Sequence, residues 1–198
     1  MNCVNLRDIS NIKMTKFKIY TESEKFVWTR KRILFGIALL SFVILAIKFY
    51  LIKNAEFIND SLAQIMGFIS VSAIFLGLIN SFFPQQLKGK LNGELIFDFS
   101  KIVINNDSYN LEDIKSIQIS TGPFKGQLIS SGMSAFSDRF SNGINNELII
   151  TLNTGKIIKC NFQIEHKRKI FQATNELKNY LDLGILSHEN FAKISAKS

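Results

Sequence analysis

The sequence predicts an α+β protein in which an N-terminal transmembrane helical hairpin precedes a small antiparallel sheet or barrel, itself capped by a C-terminal helix. Three observations predict this. Two apolar runs, Ile33 to Ile52 and Leu62 to Phe83, are joined by only nine residues, and each is about the 20 residues that a helix needs to cross a hydrocarbon core of about 30 Å. After Pro84 the apolar period changes from helical to alternating. From Glu165 it returns to helical spacing, so a sheet comes first and an amphipathic helix follows it.

The chain has 198 residues, of which 46% are hydrophobic, an ordinary fraction that supports two spans and no more. It divides into a basic N-terminal segment, residues 1–32, the hairpin, residues 33–83, and a cytoplasmic α+β domain, residues 84–198. The formal charge of +8 is unevenly spread: residues 1–32 hold eight Lys/Arg against three Asp/Glu, the hairpin two against two, and the remainder fourteen against eleven. The cations crowd the first run at Arg30, Lys31 and Arg32, with Lys88 and Lys90 after the second. The positive-inside rule keeps such clusters in the cytoplasm, where anionic headgroups are their economical partner. Both termini are therefore expected in the cytoplasm, with the protein in the inner membrane. Cys3 and Cys160 are expected as thiols. No apolar segment precedes Cys3, and the first run is too late and too long for a cleaved signal, so the hairpin should persist.

Residues 1–15 read as a polar tail. Lys16 to Tyr20 alternates, with Phe17 and Ile19 on one face, a short strand signal. Trp28 stands where an interfacial aromatic anchor belongs. Lys48, about a turn from the end of the first run, is placed to snorkel to the far headgroups. Gly67, Ser70, Ala73 and Gly77 offer a small-residue face for the first helix, with Gly36 and Ser41 opposite. Pro84 is expected to end the second helix.

Strand faces follow at Leu95, Phe97 and Phe99; Ile102 and Ile104; Tyr109 and Leu111; Ile117 and Ile119; Leu148, Ile150 and Leu152; and Ile158, Cys160 and Phe162. Turns are predicted at Asn105 to Asp107 and at Asn153 to Gly155. In the helix Glu165 to Leu183, Ile170, Phe171, Thr174, Leu177 and Leu181 form one stripe. Gly184 suits a left-handed C-cap, and Ser187 can cap a last short helix. Leu95, Phe97, Ile104, Ile150, Phe162, Phe171 and Leu177 are expected to share one core.

Thr121 to Asn146 has no periodic signal, and loops of that length in a small domain are either binding elements or slack insertions. Lys125 and Arg139 are its candidate ligands for an anionic group. His166 and His188 lack a neighbouring acid or cysteine in any catalytic spacing, and no metal, nucleotide or nucleophile motif occurs. No catalytic residue, metal or cofactor is expected. Nucleic acid is disfavoured, because the aromatics of the C-terminal part fall on core faces.

The basic stretch Arg30-Lys31-Arg32 before the hairpin, then Gly93-Glu94-Leu95-Ile96-Phe97 with Lys101-Ile102-Val103-Ile104, then Tyr109 through Ile117, the strands ending at Phe162 and the closing helix resemble bacterial two-transmembrane-helix proteins that carry a cytoplasmic pleckstrin-homology-like (PH-like) domain. The resemblance covers about residues 25–183. It implies a seven-stranded barrel or curled sheet used for binding and assembly at a membrane, with no catalytic residues to carry over. Five or six strands are visible, so a further one is to come from the long loop or from Lys16 to Tyr20.

The function expected is that of a non-enzymatic membrane protein whose cytoplasmic domain binds a protein partner, itself, or lipid headgroups. An immunity protein against a toxin and a membrane-bound enzyme using the 121–146 loop are the alternatives. A channel subunit is disfavoured by helices without an interior acid, histidine or arginine.

Overall fold

The computed structural model describes residues 14–51, 60–130 and 138–196. Two compact units are interleaved along the chain. One takes the described residues up to Thr21, then Leu91–Phe124, then Gly143 onward; the other takes Glu22–Lys90 and Lys125–Asn142.

The first unit is built on seven antiparallel strands in one open sheet: β1 (Lys16–Glu22), β2 (Gly89–Phe97), β3 (Lys101–Ile104), β4 (Asp107–Asn110), β5 (Ile114–Ser120), β6 (Asn146–Leu152) and β7 (Ile157–Gln163). Their order is β4-β3-β2-β1-β7-β6-β5. The further strand is β1, over the Lys16 to Tyr20 stretch whose alternation signalled it, and it lies at the centre. It is central because Phe17 makes edge-on ring contacts to Phe97 of β2 at 5.6 Å and to Phe162 of β7 at 5.3 Å. Registers such as Leu95↔Ile104, Ile19↔Phe162, Leu148↔Cys160 and Ile117↔Ile150 keep the apolar residues of each strand on one face. Phe99 falls outside β2 and is exposed. Asn105 takes a positive φ of 57° in the two-residue turn from β3 to β4, a conformation asparagine tolerates better than most residues.

Two helices follow the sheet, α3 (Thr174–Asp182), entered through a 3-10 turn at Ile170–Ala173, and α4 (His188–Ala196). The α-helix therefore starts later than Glu165. Its core face is Ile170, Ala173, Leu177 and Tyr180, which corrects the stripe read through Phe171: that ring is 41% exposed. The buried positions 170, 173, 177 and 180 set the face on the far side of Ile170 from Phe171, which stands about 100° further round at helical spacing and so points outward. The other six core residues expected from the sequence are buried together. Gly184, with φ of +73°, closes α3 by donating to the Leu181 carbonyl, while Ile185 N–H reaches Tyr180. Ser187 Oγ accepts from Asn190 N–H to cap α4. The connecting segment covers the outer edge of β5: Ile117 N–H donates to Ile185, and the Asn190 amide exchanges two hydrogen bonds with the Ile119 backbone. A covered edge cannot template a foreign strand.

In the second unit, α1 (Arg30–Ala46), continued by a π-turn at Ile47–Leu51, lies beside α2 (Asp60–Asn80). Thr29 caps α1 by accepting from Arg32 N–H. Small buried residues let the backbones approach, namely Ala38 and Ser41 on α1 and Ala63, Ala73 and Gly77 on α2. Gly36, expected at this contact, faces open space, as does Gly67. The helix α2 ends at Asn80, four residues before Pro84, in a turn through Ser81 to Phe83.

Candidate functional site

The candidate site is the end of the helix pair where α1 begins and α2 finishes. Residues 125–142 fold back there. Gly126 N–H donates to Ser141, Ser141 N–H to Gln127 and Ile129 N–H to Arg139, a short antiparallel ladder. On its other side Gln85 N–H donates to the Phe140 carbonyl at 2.9 Å, and Phe140 bridges Pro84. Side chains fasten the same contact: Asp138 lies 3.6 Å from the Lys31 ammonium and accepts from the Gln85 amide at 3.3 Å.

Within the first unit, the roots of this excursion are pinned by buried Asn146. Its Oδ1 accepts from Gly122 N–H at 2.8 Å, and its Nδ2 donates to Gly143 at 2.7 Å and Phe162 at 3.1 Å. A side chain at Gly122 would run into the Asn145 carbonyl, so glycine is needed there. Residues 131–137 of the Thr121 to Asn146 stretch lie outside the described residues.

The site's cations lie against aromatic rings. The Arg32 guanidinium sits 4.5 Å from the Phe26 ring centre and donates to Val27 O; Arg30 sits 5.3 Å from Phe83; Arg139 sits 5.3 Å from Phe82. Trp28 packs edge-on to Phe26 and is 68% exposed. The Gln86 side chain accepts from Arg30 N–H. Lys88 and Lys90 are exposed beside this group.

The two loop cations are not brought into one pocket. Lys125 stands exposed at the Gly126 end of the ladder, whereas Arg139 is opposite Ile129 and half-buried. Among the described residues Arg139 has no carboxylate partner, and its Nε–H is shielded from solvent without an acceptor. Lys48 lies at the opposite end of the helix pair, 2.6 Å from Asp60. Asp138, Gln85, Phe82 and Phe83 went unselected in the sequence, because their partners are tens of residues away and none belongs to a motif. The adjacency of Phe82-Phe83 to Pro84 was the only available signal.

Among the described residues no three His, Cys, Asp or Glu side chains are grouped to hold a metal. His166 and His188 are exposed. Cys160 is buried, and burial pushes its thiol up to about 11, the behaviour of a packed hydrophobe rather than a nucleophile. Cys3 lies outside the described residues. No protein-family model matches the chain, and neither does any curated protein or solved structure.

Proposed function

We propose that this is a non-enzymatic integral protein of the inner membrane, crossing it twice through a hairpin of α1 and α2 with both termini in the cytoplasm. Its sheet unit, read as a PH-like domain, binds a protein partner, itself, or lipid headgroups. The observation that carries the reading is the exposure of the two helices. Each helix has 21 residues, counting α1 to Tyr50, yet only 11% of the apolar 18-residue stretch of the first and 17% of that of the second is buried within the protein. Phe42, Phe68, Val71 and Phe75 are all more than three-fifths exposed, an apolar surface far too extensive to leave in water. Lipid is the solvent that such a surface fits. Orientation is supported by the cations at one end, against the balanced Lys48 and Asp60 at the other. The PH-like reading is supported by seven antiparallel strands followed directly by a helix.

Single-cysteine labelling in a background lacking Cys3 and Cys160 tests it. A membrane-impermeant maleimide should modify Asn59→Cys in intact cells and Lys178→Cys only after permeabilisation. The reverse pattern would overturn the orientation, and recovery of the protein in the soluble fraction would overturn the anchorage.

A further inference from the structure

We propose that residues 125–130 and 138–142 form a lipid-contacting segment, which with the start of α1 and the end of α2 forms a collar for anionic phospholipid headgroups in which Arg139 is the third arginine. This rests on the membrane reading above. The segment packs with the helix pair through the Gln85–Phe140 and Lys31–Asp138 contacts, so it is held at the end of the spans. Exposed rings surround that end: Phe26 at 66%, Trp28 at 68%, Phe82 at 61% and Phe83 at 49%. Aromatic rings beside cations, at the limit of an apolar span, are what the headgroup layer accommodates.

Charge agrees with the occupant. Residues 22–32, 81–90 and 125–142 together hold eight Lys/Arg against three Asp/Glu, and one of those acids, Asp138, is already engaged by Lys31 and Gln85. Arg139 is half-buried, lies over Phe82 and has no carboxylate partner among the described residues, so a phosphodiester oxygen reaching the outer, Nη side of its guanidinium would supply the counter-charge that the protein does not. The opposite end of the pair carries Lys48 already neutralised by Asp60, so the attraction is one-sided.

Trp28 is the only tryptophan, which makes its fluorescence a local probe. The full chain is reconstituted in phosphatidylcholine vesicles containing phosphatidylglycerol, with one or the other lipid brominated near the headgroup. Brominated phosphatidylglycerol should quench Trp28 more than its mole fraction predicts, and Arg139→Ala should lower that preference by about fivefold, the factor for one interfacial cation. Arg139→Lys, which keeps the charge but loses the fork, should lie between. Lys178→Ala, on the other unit, should change nothing. Equal quenching by the two lipids in the wild type would overturn the collar while leaving the anchorage intact. An unaltered preference in Arg139→Ala, with unchanged circular dichroism, would overturn the role of the loop. Absence of quenching by either lipid would overturn the membrane reading and the collar with it.

Discussion

The Tyr180 phenol donates to the Asp98 carbonyl at 2.7 Å and accepts from the Asp98 amide at 3.1 Å, so one side chain of α3 satisfies both backbone groups at the turn from β2 to β3. The ring also packs edge-on to Phe97 at 6.2 Å. Tyr180→Phe keeps the packing but takes the phenol donor from the Asp98 carbonyl, while the Asp98 amide keeps its bond to the Lys101 carbonyl, and is expected to cost about 1 to 3 kcal/mol in denaturant unfolding of the full chain. Burial raises the phenol's pKa, against the opposing hydrogen bond to Asp98, with Glu176 and Asp98 adding to the rise. An unfolded tyrosine ionises near about pH 10, so the contribution of Tyr180 is intact below that pH and is lost as pH rises past it. Stability should fall more steeply above about pH 10 in the wild type than in Tyr180→Phe.

Phe97 is wholly buried between Phe17 and Tyr180, whereas Phe171 is 41% exposed. Phe97→Ala should destabilise the sheet unit by about 3 to 5 kcal/mol through lost transfer energy and a residual cavity. Phe171→Ala should cost about 1 kcal/mol or less. Chemical denaturation of the two variants side by side checks the assignment, and equal losses would mean that the helix face has been placed wrongly.

Asn146 supplies one acceptor and two donors to three backbone groups from three different segments. Asn146→Ala should lose about 2 to 4 kcal/mol, because the Gly122 amide and the Phe162 carbonyl lose this partner and the Gly143 carbonyl is left with Ile164 N–H. Asn146→Asp should be at least as damaging near neutral pH, since a carboxylate can receive the Gly122 amide but cannot donate to two carbonyls. Amide hydrogen exchange at Gly122 is the local readout, and it should rise in both variants.

Cys160 sits 5% exposed with its thiol raised to about 11 by burial. In a Cys3→Ser background, maleimide should leave the native protein essentially unmodified at about pH 8 and react fully once denaturant exposes the thiolate. Rapid native labelling would show that β7 opens far more readily than its place in the sheet suggests.

Wherever burial follows a local period, the sequence by itself determined this protein: two apolar runs of span length, alternating strand faces, the turns at Asn105 and Gly155, and the caps at Gly184 and Ser187 all follow from side-chain spacing and backbone preference within a few residues. Only the tertiary structure decided that β1 stands between β2 and β7, because that placement depends on Phe17 meeting Phe97 and Phe162, which are 80 and 145 residues away along the chain. The same holds for the long loop. Its composition showed glycines, serines and two cations, but the Asp138–Lys31 and Phe140–Gln85 contacts that assign Lys125–Asn142 to the helix pair join positions 107 and 55 residues apart, and no local pattern encodes such a pairing. Phe171 marks the boundary between the two kinds of information. Its helical spacing admitted a face on either side of Ile170, and the packing of Ile170, Ala173, Leu177 and Tyr180 against the core left the ring at the surface.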